Sequence, residues 1–506
     1  MDNFSLLMHG FGVAFTGYHL MLMVIGVLLG ILVGVLPGLG APNGVTLLMP
    51  LTFGMQPVSA VILLASMYWG ALFGGSTTSI IFNIPGEPSS VATTFDGYPL
   101  ARQGRATEAL SYAFLSAAFG ALVGVVVITL LSGWVASFAL RFSSPEYFAV
   151  YLLAFASFVG LSGGSPFKTI TTIALGFAFA AVGMDSVSGS LRLTFGISEL
   201  LRGISFLVAV IGLFGIGELL LTMEEGLRFE GVKANITLRG VWLAAKAMPR
   251  YWVALVRSSL IGIWMGITPG GPTAASFMSY GIAKRLSRRH AEFGKGEPEG
   301  IIAPETADHA AGTSAMLPML ALGIPGSATA AVMMGGLMIW GLTPGPMLFV
   351  EQKSFVWGLI ASMYLGNIVA VVLVLATVPL FAAILRIPFT IIGPIIIAVC
   401  VIGAYTVTNA TFDLSLMLAF GVMGYLLKKL DYPIAPLVLA MVLGDKAEDA
   451  FRQSLIMSHG SVSIFWSNGL VATLMTLAIV MALWPGVTAF RRKLVGPRKA
   501  IIPVHP

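Results

Sequence analysis

The residues whose types and spacing could do chemistry are hydroxyls and amides gathered at helix breakers. Four successive hydroxyls, Ser76, Thr77, Thr78 and Ser79, are followed one helical turn later by Asn83 and then by Pro85-Gly86. A later stretch repeats the theme: Thr313 and Ser314 precede Pro325-Gly326, and Ser327 and Thr329 follow it. Upstream of each lies a second breaker. Pro37-Gly38 is followed by Asn43 and Thr46, and Pro269-Gly270 is flanked by Thr268 and Thr273. Pro stops a helical ladder and Gly lets backbone come close. The freed N–H groups at the start of a half-helix suit an anion, whereas unwound carbonyls and hydroxyls suit a dehydrated cation such as Na⁺. Gly, Ser and Thr also mediate tight packing between membrane helices. That reading fits one isolated patch better than two patches with Pro-Gly at similar offsets.

No catalytic constellation accompanies them. The histidines are His9, His19, His290, His309, His459 and His505; no two are four residues apart, and HExxH, CxxC and a GK[ST] phosphate loop are absent. Glu305-Thr-Ala-Asp308-His309 has metal-like residue types, but at the edge of a polar stretch it reads as a solvated helix start. Glu87, Asp96, Asp185, Asp413, Asp431 and Lys168 sit at ends of apolar runs and read as loop residues. Cys400 is the only cysteine, so one chain can form neither a disulfide nor a thiolate metal site. No cofactor is expected, and no metal beyond a bound Na⁺.

The elements that must position these residues are membrane helices. Of 506 residues 57% are hydrophobic and 10% charged, where a soluble protein carries about 25% charged residues. Uncharged windows long enough to span a bilayer recur along the chain, and the pattern predicts an all-α polytopic membrane protein with about 11 or 12 segments, some broken or re-entrant. The run from Leu20 to Met55 is too long for one crossing and reads as a span plus a half-helix. The first basic residue is Arg102, so the N-terminus lacks the charged start of a cleaved signal peptide. The net charge of +6 lies between apolar runs, as cytoplasmic loops require, and is no nucleic-acid signal.

Breakers recurring in the same order mark a duplication and point to a binding site between the copies. Residues 1–222 form a first membrane repeat and 251–506 a second, ending in a basic tail. Between them, 223–250 is a polar linker with an amphipathic helix near Leu238–Met248. In this reading Gly74-Gly75-Ser76 of the first copy returns as Gly312-Thr313-Ser314 of the second. The basic loops fall at non-equivalent places, Arg102–Arg105 in one copy and Lys284–His290 in the other. Positive loops stay inside, so the repeats are expected to have inverted topology.

The runs Gly34–Pro50, Gly74–Ser90, Asp96–Gly104 and Leu322–Thr329, with Lys428–Gly444 toward the C-terminus, resemble the large, TctA-type membrane subunit of the tripartite tricarboxylate transporters over nearly the whole chain. One departure is Thr306–His309, where the resemblance implies an Ala- and Asn-rich stretch. It further implies a small membrane subunit with about four spans and a periplasmic solute-binding protein as partners. A cation gradient would drive the import of small carboxylates such as citrate across a bacterial inner membrane. Carried residue by residue, it places Ser76–Ser79, Asn83, Thr313 and Ser314 at the transport site. An intramembrane enzyme acting on a lipid, with Glu305-Thr-Ala-Asp308-His309 as its only candidate centre, and a channel are the competing classes.

Overall fold

The computed structural model describes residues 3–36, 39–161, 165–185, 188–225, 236–268, 271–384 and 389–495. Pro37, Gly38, Pro269 and Gly270, together with Arg498 and Lys499 of the basic tail, lie outside these residues. The described chain is helical almost throughout; its only strands, β1 (Gly183–Met184) and β2 (Leu191–Arg192), form a short antiparallel hairpin.

The first half runs α1 (Asn3–Ala14), α2 (Gly17–Val35), α3 (Gly40–Leu48), α4 (Pro57–Phe82), α5 (Val91–Leu100) and α6 (Ala106–Ala139). It continues through α7 (Ser144–Leu161), α8 (Pro166–Ala180), α9 (Phe206–Val210) and α10 (Gly217–Glu225). The second half runs α11 (Leu238–Ala247), α12 (Trp252–Ile267), α13 (Gly271–Leu286), α14 (Glu299–Ser314), α15 (Met316–Leu322), α16 (Ala328–Ile339), α17 (Pro346–Glu351) and α18 (Lys353–Ile384). It ends with α19 (Phe389–Thr408), α20 (Thr411–Lys429), α21 (Ile434–Met457) and α22 (Gly469–Val495). Among the described residues six helices are long and apolar enough to cross a bilayer, and six shorter apolar ones accompany them. The chain is therefore a multi-pass, all-α membrane protein. The Leu20–Met55 run divides as α2, α3 and a short 3₁₀ turn.

Helix α4 occupies the centre, with 94% of its most apolar window buried in protein. It is apolar on all sides because other helices, not lipid, surround it. It seats on α2 through glycines: a Cβ on Gly30 would strike the Met67 carbonyl, and one on Gly34 the Ala71 carbonyl. The second half repeats this seam, with Gly262 against the Ala307 carbonyl and Gly266 against the Ala311 carbonyl of α14. The absence of side chains lets the backbones approach, as small residues do between membrane helices.

The halves also clasp each other reciprocally. Gly120 of α6 lies on the Thr306 carbonyl of α14, while Gly366 of α18 lies on Trp69 and Ser66 of α4. Gly10 of α1 abuts the start of α18 at Trp357, and Gly240 of α11 abuts Thr107 at the start of α6. The amphipathic helix α11 thus stands to α6 as α1 stands to α18.

The seams set the register between the halves. Met67 matches Ala307, Ala71 matches Ala311, and Gly86 matches Gly326, whose Cβ positions point at the carbonyls of Gly34 and Gly266. Asn83, which ends α4 in the left-handed region (φ 58°), matches Gly323, which ends α15 there (φ 67°). Every one of these pairs has the same sequence separation. Gly75 therefore matches Ala315, and Thr313-Ser314 matches Phe73-Gly74. The sequence reading kept this register where it paired Pro85 with Pro325, but was displaced by two residues where it matched Gly74 with Gly312, because there it aligned glycines rather than the helix faces that carry them.

Candidate functional site

A cavity of about 540 Å³ opens where the breaks of both halves meet, within the range of roughly 300–1,000 Å³ usual for small-molecule sites. Three helices begin in its wall: α3 at Gly40, α13 at Gly271 and α16 just after Ser327. Gly40 (φ +61°) and Gly271 (φ +65°) both adopt a conformation that L side chains rarely take, which turns the chain sharply into the new helix. Ser327 caps α16, its hydroxyl accepting the Ala330 N–H at 3.2 Å.

The two halves fill equivalent corners differently. In the first, the Glu87 carboxylate accepts the Ala41 N–H at the start of α3. The matching position in the second half is Ser327, which lies beside Gly271 at the start of α13. A protein carboxylate therefore occupies one helix start, and a neutral hydroxyl stands at the other. The far wall carries the ion pair Lys428–Glu218, with the Lys428 ammonium 5.9 Å from the Phe214 ring centre and Tyr432 alongside.

Of the residues singled out in the sequence, Asn43, Thr273, Ser327, Thr329, Glu87, Pro85, Gly86 and Gly326 line this cavity. The other described residues of that set are outside its lining. Thr46 donates to the Pro42 carbonyl (2.7 Å), Thr77 to Phe73 (3.0 Å), Thr78 to Gly75 (3.0 Å) and Ser314 to Ala311 (3.4 Å). Ser79 donates to the Ser90 hydroxyl (2.8 Å). Thr313 is buried within α14, Asn83 ends α4 and Pro325 follows α15. Lys428, Glu218 and Tyr68 are cavity residues that sequence reasoning missed. The only sequence sign of Lys428 was its place in the C-terminal segment that carries the resemblance.

Glu305, Asp308 and His309 are not a solvated helix start. They are 1%, 1% and 0% exposed, turned inward on one face of α14 against α4 and α5. Ser76 donates to Glu305 Oε2 (2.7 Å) and Thr93 to Glu305 Oε1 (2.5 Å). The Phe73 ring lies 4.4 Å from the His309 ring. Polar residues at i, i+3 and i+4 share a helix face, a spacing visible in the sequence; the side they face was not. Glu87, Asp96, Asp185 and Asp413 are likewise buried, at 8% exposure or less; Glu87 and Asp185 do lie in connecting loops, and Asp96 and Asp413 lie in helices. Asp96 Oδ1 accepts the N–H groups of Gly294, Gly296 and Glu297 (2.8–2.9 Å). Tyr280 donates to its Oδ2 (3.0 Å). Asp96 thereby pins the loop between α13 and α14 to α5.

Broken helices, a cavity at the breaks of two packed halves and a multi-pass apolar bundle together fit a membrane transport protein's architecture. Residues 20–439 match the profile of the tripartite tricarboxylate transporter TctA family, and the chain belongs to that family. It is 38% identical over 499 residues to an uncharacterized 52.8 kDa protein of the TAR-I ttuC' 3' region of Agrobacterium vitis, covering 98% of this chain and 99% of that one. An uncharacterized protein of the TAR-II ttuC' 3' region of the same organism is 38% identical over 234 residues, 46% of this chain and 97% of its own length. No solved structure matches.

Proposed function

We propose that this chain is the membrane conduit of a secondary carrier that imports small carboxylate anions, tri- or dicarboxylates such as citrate, across a bacterial inner membrane. A Na⁺ or H⁺ gradient drives it, a periplasmic binding protein delivers the substrate, and a small four-span subunit completes the complex. The observation that carries this reading is the convergence of the α3, α13 and α16 starts on one cavity that also holds Lys428. Helix starts present N–H groups and the positive end of the helix dipole. Glu87 already fills the α3 start, so an incoming carboxylate has the α13 and α16 starts, Thr273, Ser327 and Lys428 as its donors. The layer behind, Ser76–Ser79, Asn83, Thr313 and Ser314, is read as support for the breaks and as the way to a coupling cation.

The two halves are read as inverted repeats about an axis in the membrane plane, moving together as a transport domain against a scaffold that holds the partner subunit. The reciprocal contacts of α6 with α14 and of α18 with α4 support a two-fold relation, and the swapped basic loops support inversion. The enzyme alternative needed an acidic and imidazole centre at the membrane edge, and Glu305, Asp308 and His309 are enclosed in the bundle. Substrate-dependence of uptake in Thr273→Val and Ser327→Ala variants, with the partner proteins present, tests the assignment of the cavity. Unchanged half-saturation in both would remove it.

A further inference from the structure

We propose that Glu305, Asp308 and His309 hold a cation inside the bundle, one layer behind the cavity wall. Each offers a ligand atom, and these atoms lie within 4.8 Å of one another. Metal–ligand bonds of about 2.0–2.6 Å allow one ion to bridge that span. The geometry is centred on Nδ1 of His309, 3.9 Å from both Glu305 Oε2 and Asp308 Oδ2.

The second, independent observation is what these buried groups lack. Neither oxygen of Asp308 has a well-formed hydrogen bond, nor has Nε2 of His309. Ser89 and Tyr68, both in the cavity wall, are looser polar neighbours of Asp308. Among the described residues no Lys or Arg forms an ion pair with Glu305 or Asp308. Two carboxylates in an apolar interior without a counter-charge are strongly unfavourable. A cation shared by both would neutralise them and give the idle Asp308 oxygens a partner.

Glu305 is already oriented for this. The Ser76 and Thr93 hydroxyls hold its two oxygens, as outer partners hold a ligating carboxylate, and each oxygen keeps a free lone pair. Nδ1 of His309 lies 3.2 Å from the Glu305 carbonyl; an ion held by the carboxylate oxygens leaves that contact in place, whereas an ion on Nδ1 would break it and move the ring proton to Nε2. The site joins α4 and α5 of the first half to α14 of the second, so an ion there stiffens the contact on which the cavity wall rests. The donor set accepts a monovalent ion through oxygens or a divalent ion that also uses the imidazole. The inference concerns binding alone and does not depend on which anion is carried.

The test is cation binding to the purified full-length chain in detergent, without carboxylate or partner proteins. Na⁺ and Mn²⁺ are used separately as probes, and calorimetry and thermal stability are the readouts. At least one cation should bind at one per chain and raise the melting temperature with concentration. Asp308→Asn, which removes the charge and replaces one idle oxygen by an amide nitrogen, should weaken this binding at least tenfold while the protein still elutes as a single species. His309→Asn should spare Na⁺ binding if the ion is monovalent and oxygen-held, and should weaken Mn²⁺ binding if the ion is divalent and the imidazole is a ligand; either pattern supports the site. Binding of neither cation to the wild-type chain, or equal binding in Asp308→Asn and His309→Asn, would overturn it. Failure of carboxylate uptake with cation binding intact would count against the transport reading alone.

Discussion

Among the described residues Lys428 is the one basic side chain in the cavity wall, and it already pairs with Glu218. A carboxylate substrate would share that ammonium with Glu218, and the pair would keep the site neutral when empty. Lys428→Met should raise the half-saturation for uptake at least about tenfold, which corresponds to about 1.4 kcal/mol. An unchanged value in a concentration series would mean that Lys428 serves Glu218 only. The hydroxyls divide by position. Thr273→Val or Ser327→Ala removes a group facing the cavity; losing one buried hydrogen bond costs about 1–3 kcal/mol, or about 5- to 150-fold in affinity. Thr77→Val should change affinity far less, because Thr77 is satisfied by its own helix at Phe73. Parallel uptake titrations of the three variants check the ordering, and equal effects would contradict it. Residue types at the breaks were legible in the sequence. Which hydroxyls face the cavity was not, since a one-residue step turns a side chain by about 100° around a helix of 3.6 residues per turn.

At the scale of elements, the α2–α4 and α12–α14 seams are where the two halves are most alike. Their glycines sit where any Cβ meets backbone, which cannot swing away. Gly34→Val and Gly266→Val should each destabilise the chain by about 1–3 kcal/mol or more through overpacking, read as a fall in melting temperature in detergent. Gly12→Val, where nothing lies within 4 Å of the added carbon, should not; equal shifts in all three would deny the seams. Asp96 makes a similar case for polar contact. Asp96→Ala leaves three N–H groups without their acceptor, and each buried unsatisfied group costs about 1–3 kcal/mol, so the loop at Gly294–Glu297 should become protease-sensitive. The breakers announced these elements in the sequence because Pro and Gly act locally. The register between the halves showed at Pro85 and Pro325 but not along α4 and α14, where it is held by backbone carbonyls, which every residue has. Glu305–His309 was misread for a related reason: polar types at the end of a charged island look solvated until tertiary packing encloses them.

For the whole molecule, charge and composition were enough to read an all-α membrane protein, and the long motifs enough to reach the family. Orientation in the bilayer rests on the positive-inside rule, which predicts Arg102–Arg105 and Lys284–His290 on the cytoplasmic side. Since Cys400 is the sole cysteine, single cysteines placed in these loops of a Cys400→Ala chain report cleanly. They should resist an impermeant thiol reagent in intact cells, and ready labelling of either would reverse the assignment. The function proposed for the whole molecule is gradient-driven passage of a small carboxylate. Its most direct test is uptake of radiolabelled citrate and related di- and tricarboxylates into proteoliposomes holding this chain with its small subunit and binding protein, under an imposed Na⁺ or H⁺ gradient. The account predicts concentrative uptake of at least one carboxylate that collapses when the gradient is dissipated and falls in Lys428→Met; uptake indifferent to both gradients, or none for any carboxylate, would contradict it.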